Sequence, residues 1–222
     1  ADSGLRTNIN PALLYAQAIQ VMPDRSTQDH LFTNEWRGRE LDEQFGRQIA
    51  SYDNAFRLLR KAARQQAPCD WGYDLTEGPE LQIPSLARAK TLAQAARLRL
   101  RWHLENGRPD DARDDFIAAF VLGRQVSKDG ILISALVQYA IENILESGLA
   151  ENWFRLKSET LEQILSGIAT APVRGTIVQC VSTERLAFKG WLARRIAEIQ
   201  AASQNEAEAL NETRKLLKSV LT

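Results

Sequence analysis

Leu41, Phe45, Ile49, Tyr52, Phe56, Leu59 and Ala63 follow one another at steps of 4, 4, 3, 4, 3 and 4. That spacing keeps all seven on one stripe of a helix with 3.6 residues per turn. It predicts one continuous helix over residues 40–66. Upstream, Leu14, Ala18 and Val21 form an apolar row widened by Leu13, Tyr15, Ile19 and Met22. Asn10 is placed to cap that helix, Pro11 suits its first position, and Pro23 stops it. The polar segment 24–38, which holds Trp36, is expected to carry a short helix.

Residues 67–84 are rich in Pro and Gly and are expected to form a loop. Helical periodicity resumes over 84–106, where Gly107 suits the closing turn, and again from Pro109 to Val126. After a turn at 127–130, residues 131–147 are apolar nearly all round, which predicts the central buried helix. A shorter helix is expected over 158–168. Thr170-Ala171-Pro172 then predicts the start of a long helix carrying Val173, Ile177, Val181, Phe188, Trp191 and Ile199. Ser203 and Glu206 are spaced as a capping box for a last helix reaching residue 221. No segment alternates apolar and polar residues as a strand does. The expectation is an all-α chain of about eight antiparallel helices, forming a single domain over 1–222. Possible halves, 8–66 and 84–222, are joined by the loop 67–83.

Composition narrows the function classes. With 222 residues the chain can bury a core without disulfides or metal. It has 28 Lys plus Arg and 28 Asp plus Glu, a balance that argues against nucleic acid as the main partner. No apolar run approaches the ~20 residues a membrane span needs. Cys69 and Cys180 have neither disulfide-framework nor zinc-site spacing. The sequence begins Ala1-Asp2-Ser3-Gly4, as a chain would after removal of a signal peptide and as any trimmed domain would too. Export to the periplasm is the expectation, and the cytoplasm the alternative.

Candidate chemistry is sparse. Asp70, Trp71, Tyr73 and Asp74 stand in the loop 68–84 with Glu77 and Glu80, where aromatic anchors would pin the chain and the acids would face solvent or a ligand. The acid spacing is not that of a calcium loop, so no metal or cofactor is expected. Lys90, Arg97, Arg101 and Arg108 lie along one helical line, either to meet an anionic partner or to bridge to Asp110, Asp111, Asp114 and Asp115. Arg99 and His103 fall four apart inside an apolar arc, while Ser134, Gln138, Glu142 and Glu146 make a polar line along an apolar cylinder. A buried ion must find a counter-charge, so Glu142 is expected to meet a cation, with Arg99 the favoured candidate. His30 and His103 supply the only imidazoles, and neither cysteine has a nucleophile's local signature. No catalytic residue is named. A peptide or protein partner held in a groove is the leading function. An enzyme or small-ligand receptor with a pocket around Glu142, Arg99, His103 and the 68–84 loop is the alternative.

The run Gly107, Ala112, Phe116, Ala119 and Leu122 resembles the second helix of a tetratricopeptide repeat. Tyr15, Ala18, Ile19, Val21 and Pro23 look like the end of the same pattern. Arg124 stands where the repeat has proline, and Arg99, Leu100 and His103 replace its Leu, Gly and Tyr. The resemblance implies paired helical hairpins rather than a repeat array. A longer stretch, from Asn10 to about Trp191, resembles a family of exported bacterial helical proteins of uncharacterised activity. That likeness is carried by Asn10-Pro11-Ala12-Leu13-Leu14-Tyr15, Pro68-Cys69-Asp70-Trp71-Gly72-Tyr73-Asp74 and Tyr139-Ala140-Ile141-Glu142-Asn143. It implies a helical fold and export.

Overall fold

A computed structural model of the chain describes residues 8–24, 31–32, 36 and 38–221. Most of the expected short helix in 24–38, and His30, lie outside those residues. Nine α-helices and three short 3-10 turns make up the described residues, with no strand among them.

The first helix, α1 (Pro11–Gln20), starts as the sequence predicts. Asn10 Oδ1 accepts the Ala12 amide at 3.1 Å and Pro11 occupies the first position. The same Asn10 side chain clamps the loop 60 residues on, donating to the Asp70 carbonyl at 2.6 Å and accepting the Asp70 amide at 3.1 Å.

The expected rod over 40–66 is two helices, α2 (Glu43–Ala50) and α3 (Asp53–Ala63). Their apolar stripe is continuous, since Phe45, Ile49, Tyr52, Phe56 and Leu59 are all buried. The break lies in the hydrogen-bond ladder. The Tyr52 amide bonds three residues back to the Ile49 carbonyl, at 3.1 Å, instead of four. The same carbonyl accepts Arg99 Nη1 at 3.0 Å. A side chain entering the ladder is a recognised cause of a helix kink, and the apolar spacing carries no trace of it.

The loop that follows contains a 3-10 turn at Leu75–Glu80, kinked at Gly78. It leads into α4 (Ser85–Glu105), whose Ala89, Ala93, Ala95 and Ala96 are at most 1% exposed. Such small side chains let several helices approach its axis. Its C-terminus closes with Gly107 at φ 68°, the Gly107 amide bonding Leu104 and the Arg108 amide bonding His103. This pair of bonds satisfies carbonyls the helix end would leave free.

Helix α5 (Pro109–Val126) is the central element. It buries Ala112, Phe116, Ala119, Phe120 and Leu122, and packs on α3, α4 and two later helices. The expected central helix, α6 (Leu132–Glu151), instead lies at the surface with its polar row turned inward. Ser134, Gln138 and Glu142 are buried, whereas Ile133 and Leu136 are about half exposed. Overall apolarity misplaced it, because its inward face mixes Ser134, Gln138 and Glu142 with Ala135, Ile141 and Leu145 while other apolar residues face outward. Where α5 crosses α6, a Cβ on Gly123 would come within 2.7 Å of Ile141 Cγ2, so glycine permits the approach.

Then come α7 (Ser158–Ala169), α8 (Ile177–Ala202) and α9 (Glu206–Leu221). The long helix begins at Ile177, not near Pro172. Thr176 and Gln179 make its capping box, a better start signal than Pro172, and Val173 stays in the preceding strap. The expected box at Ser203 and Glu206 does not form. Ser203 Oγ donates to the Ile199 carbonyl, and Asn205 Oδ1 receives the Glu208 amide at 3.0 Å. Buried residues of α1 through α7 share one hydrophobic cluster. Helix α8 buries only Cys180 and Trp191.

Candidate functional site

Arg99 and His103 stand one turn apart on α4, and both point at Asp115 of α5. Arg99 Nε donates to Asp115 Oδ2 at 2.7 Å, and His103 Nε2 lies 3.1 Å from the same oxygen. Arg60 of α3 reaches Asp115 Oδ1 at 2.7 Å. Arg99, His103 and Asp115 are at most 3% exposed, so the cluster is a buried knot tying α3, α4 and α5. Arg99 Nη1 also holds Asp53 Oδ1 at 2.7 Å, and its guanidinium lies 4.5 Å over the Phe56 ring. Burial alone would raise the Asp115 carboxyl. The His103 hydrogen bond and the Arg99 and Arg60 charges outweigh it and hold the carboxyl below its ordinary value.

An ionised Asp115 only accepts hydrogen bonds, so His103 Nε2 carries the hydrogen in the neutral ring. Its Nδ1 is sealed from solvent and has no partner among the described residues. An unsatisfied buried group of this kind costs about 1–3 kcal/mol.

Above the knot opens a groove of about 1020 Å³. Asp53, Phe56, Arg99 and His103 contribute to its floor, Arg57, Arg60, Lys61 and Arg64 to one wall, and Arg108 and Asp111 to its rim. Arg60 is tied to Asp111 at 3.2 Å as well as to Asp115. Arg64 is 3.5 Å from Asp114 but mostly exposed. Arg57 and Lys61 are exposed, and their side chains have no partner among the described residues. Among the residues lining the groove there is no Ser, Thr or Cys.

Glu142 is not part of this site. It does meet cations, but not Arg99. Arg124 Nε of α5 lies 2.8 Å from its Oε1 without aiming its N–H at it, and Arg174 hydrogen-bonds its other oxygen. Arg174 belongs to the strap between α7 and α8, which also bonds through Gly175 to Gln138 at 3.0 Å. Arg99 was the wrong partner because Asp115, only 16 residues away across the tight 106–108 turn, takes it first.

The loop residues serve the fold. Trp71 Nε1 donates to the Gln125 carbonyl at 2.9 Å, a free acceptor in the last turn of α5. The indole stacks between Tyr15 and Tyr73, at centroid distances of 5.9 and 6.3 Å, and the Tyr73 hydroxyl bonds Ser85. Asp70 and Asp74 each fold back on the loop, receiving the Gly72 and Thr76 amides at 2.8 Å. The Asp74 carboxyl is lowered by its bonds to Thr76.

The expected basic stripe is dispersed. Arg97 pairs with Glu151 at 2.5 Å, and Arg101 with Glu105 at 2.7 Å and with the Trp36 and Arg39 carbonyls. Only Arg108 approaches the acids of α5, 3.9 Å from Asp111. The cations of the groove come instead from α3. Arg57, Arg60, Lys61 and Arg64 step by 3, 1 and 3 along one flank of the apolar stripe, a signal present in the sequence beside the stronger one.

Comparison with protein-family models, with curated proteins and with solved structures finds nothing similar to this chain. No helix among the described residues is long and apolar enough to cross a membrane.

Proposed function

We propose that this chain is a non-catalytic helical binding protein whose groove along α3 receives a segment of a peptide or protein partner. The observation that carries this is the groove itself. It is open, its volume lies at the upper end of the ~300–1,000 Å³ range of small-molecule pockets, and a rigid buried knot supports its floor. A preformed surface binds with less ordering cost than one that must assemble. The groove lining offers no hydroxyl or thiol nucleophile, and the one imidazole is locked on Asp115 with its second nitrogen sealed.

The packing of α4 on α5 through the turn 106–108, with Ala112, Phe116, Ala119 and Leu122 buried between helices, supports antiparallel hairpins of the tetratricopeptide kind. Such stacks present concave faces to extended segments. The likeness to exported helical proteins favours this role outside the cytoplasm. The alternative, an enzyme or small-ligand receptor, draws less support. Its proposed residues fall in three places: Arg99 and His103 under the groove, Glu142 beneath the strap, and Trp71, stacked between Tyr15 of α1 and Tyr73, in the loop.

Selection of a random dodecapeptide library displayed on phage tests the proposal. Peptides enriched on the native chain should raise its melting temperature, since a ligand that binds only the folded state stabilises it. Enrichment no greater than on the heat-denatured chain would contradict it.

A further inference from the structure

We infer that the groove's partner segment is acidic, its side-chain carboxylates received by Arg57 and Lys61; this rests on the groove being a peptide-binding surface. The chain as a whole is neutral, so the local imbalance stands out against it. Residues 54–66 contain Arg57, Arg60, Lys61 and Arg64 and not one Asp or Glu. The carboxylates that line the groove are already engaged, Asp53 with Arg99 and Asp111 with Arg60. Arg60 is neutralised from below by Asp115. Arg57 and Lys61 are left exposed and unpartnered among the described residues.

Their spacing gives this surplus a shape. Positions four apart on a helix stand about 6 Å from each other on the same face, close enough to share one carboxylate. Arg64 continues the line by a further turn, and its 3.5 Å contact with Asp114 is exposed enough to be exchanged for a partner's acid. Arg108, at 3.9 Å from Asp111, adds a weakly held cation across the rim. A neutral or basic segment lying here would strip water from Arg57 and Lys61 without replacing it, which is unfavourable.

Carboxylates fit better than the phosphates of a nucleic acid. Single strands bind through aromatic platforms on which bases stack. The one aromatic lining the groove, Phe56, is 1% exposed and is capped by the Arg99 guanidinium. No ring face is available to a base.

The test is fluorescence anisotropy of the whole chain with four labelled probes of equal length: alternating Glu-Gly, Gln-Gly and Lys-Gly peptides, and an oligodeoxythymidine. The Glu-Gly peptide should bind at least about tenfold tighter than the Gln-Gly peptide, and more weakly as salt rises. The double variant R57E/K61E should lose about tenfold or more of that affinity while melting at the same temperature, because neither side chain holds anything in the fold. Should that variant fail to fold, Arg57→Gln with Lys61→Gln carries the test, with a loss of about threefold or more expected. Equal binding of Glu-Gly and Gln-Gly peptides, or preference for Lys-Gly, would overturn the acidic partner and leave the peptide groove standing. Tighter binding of the oligonucleotide than of Glu-Gly would also overturn the acidic partner. Binding of none of the four would sink both this inference and the groove reading it rests on.

Discussion

Arg99 Nη1 sits 3.0 Å from the carbonyl oxygen of Ile49, a residue 50 positions earlier, at the point where the second and third helices part. One guanidinium thereby bonds a backbone carbonyl at the kink, the Asp53 carboxylate beyond it and the buried Asp115 behind it. The bend it stabilises turns α3 so that its apolar residues stay in the core while Arg57 and Lys61 face the groove. A buried ion pair is not in itself strong evidence for stability. Here its contribution is to place elements.

Removing Asp115 leaves Arg99 buried without its main counter-charge. Asp115→Ala is expected to destabilise the fold by about 3–5 kcal/mol, as when one partner of a buried pair is deleted. Asp53→Ala removes a carboxylate that is 65% exposed and should cost about 1 kcal/mol or less. Urea unfolding of the two variants measures the contrast. Equal losses would show that the knot does not depend on burial.

Acid should weaken the fold through the same carboxyl. Asp115 titrates below its ordinary value in the folded chain. Its stabilising contribution is therefore complete above the unfolded value of about 4 and is lost as pH falls through the folded one. Asp115→Asn should be less stable than the parent at neutral pH and should show a shallower fall in melting temperature below about pH 4. Parallel curves for the two proteins would contradict this assignment.

Glu142 offers a second buried carboxylate with unequal partners. Glu142→Ala strands Arg124, whose side chain is 15% exposed, and should cost about 3 kcal/mol. Arg174→Ala removes a side chain 42% exposed, leaves Arg124 in place, and should cost below about 1 kcal/mol. Chemical denaturation of both variants decides the order, and a reversed order would mean that the strap, not α5, holds Glu142.

The two thiols should be slow to react. Burial pushes Cys69 up to about 12 and raises Cys180 as well. At mildly alkaline pH the Cys69 thiolate is then about a thousandfold scarcer than for an ordinary thiol. Alkylation by iodoacetamide, followed by mass spectrometry, should leave both unmodified long after a free cysteine standard has reacted. Rapid alkylation of Cys69 in the folded chain would refute the assignment.

Residues whose role is local were legible in the sequence. The capping bond of Asn10 with Pro11, Gly107 and the Gly130 turn act within one turn of their own backbone, and the seven-residue stripe identified the core face of α2 and α3. Contacts fixed by the packing of distant helices were not. The kink at Tyr52 depends on an arginine 47 positions away, and Glu142 finds Arg174 on a strap that the sequence assigns to a helix. The inward polar row of α6 shows why mean apolarity misleads. Ser134, Gln138 and Glu142 meet Asp129, Ser127, Gly175, Arg124 and Arg174 through hydrogen bonds or ion pairs, and those partners lie on other elements. Arg99 and His103, four apart in an apolar arc, are buried polar groups, yet nothing in the spacing separates their partner Asp115 from the three acids beside it.

Hydrogen exchange of the chain with and without a saturating Glu-Gly peptide tests the central claim most directly, because it reads where a partner lies rather than whether one binds. Slowed exchange is expected over residues 53–66 and 106–111, with the rest of the chain unchanged. Slowing confined to residues 177–202, or spread evenly over all helices, would contradict a partner seated in the groove along α3.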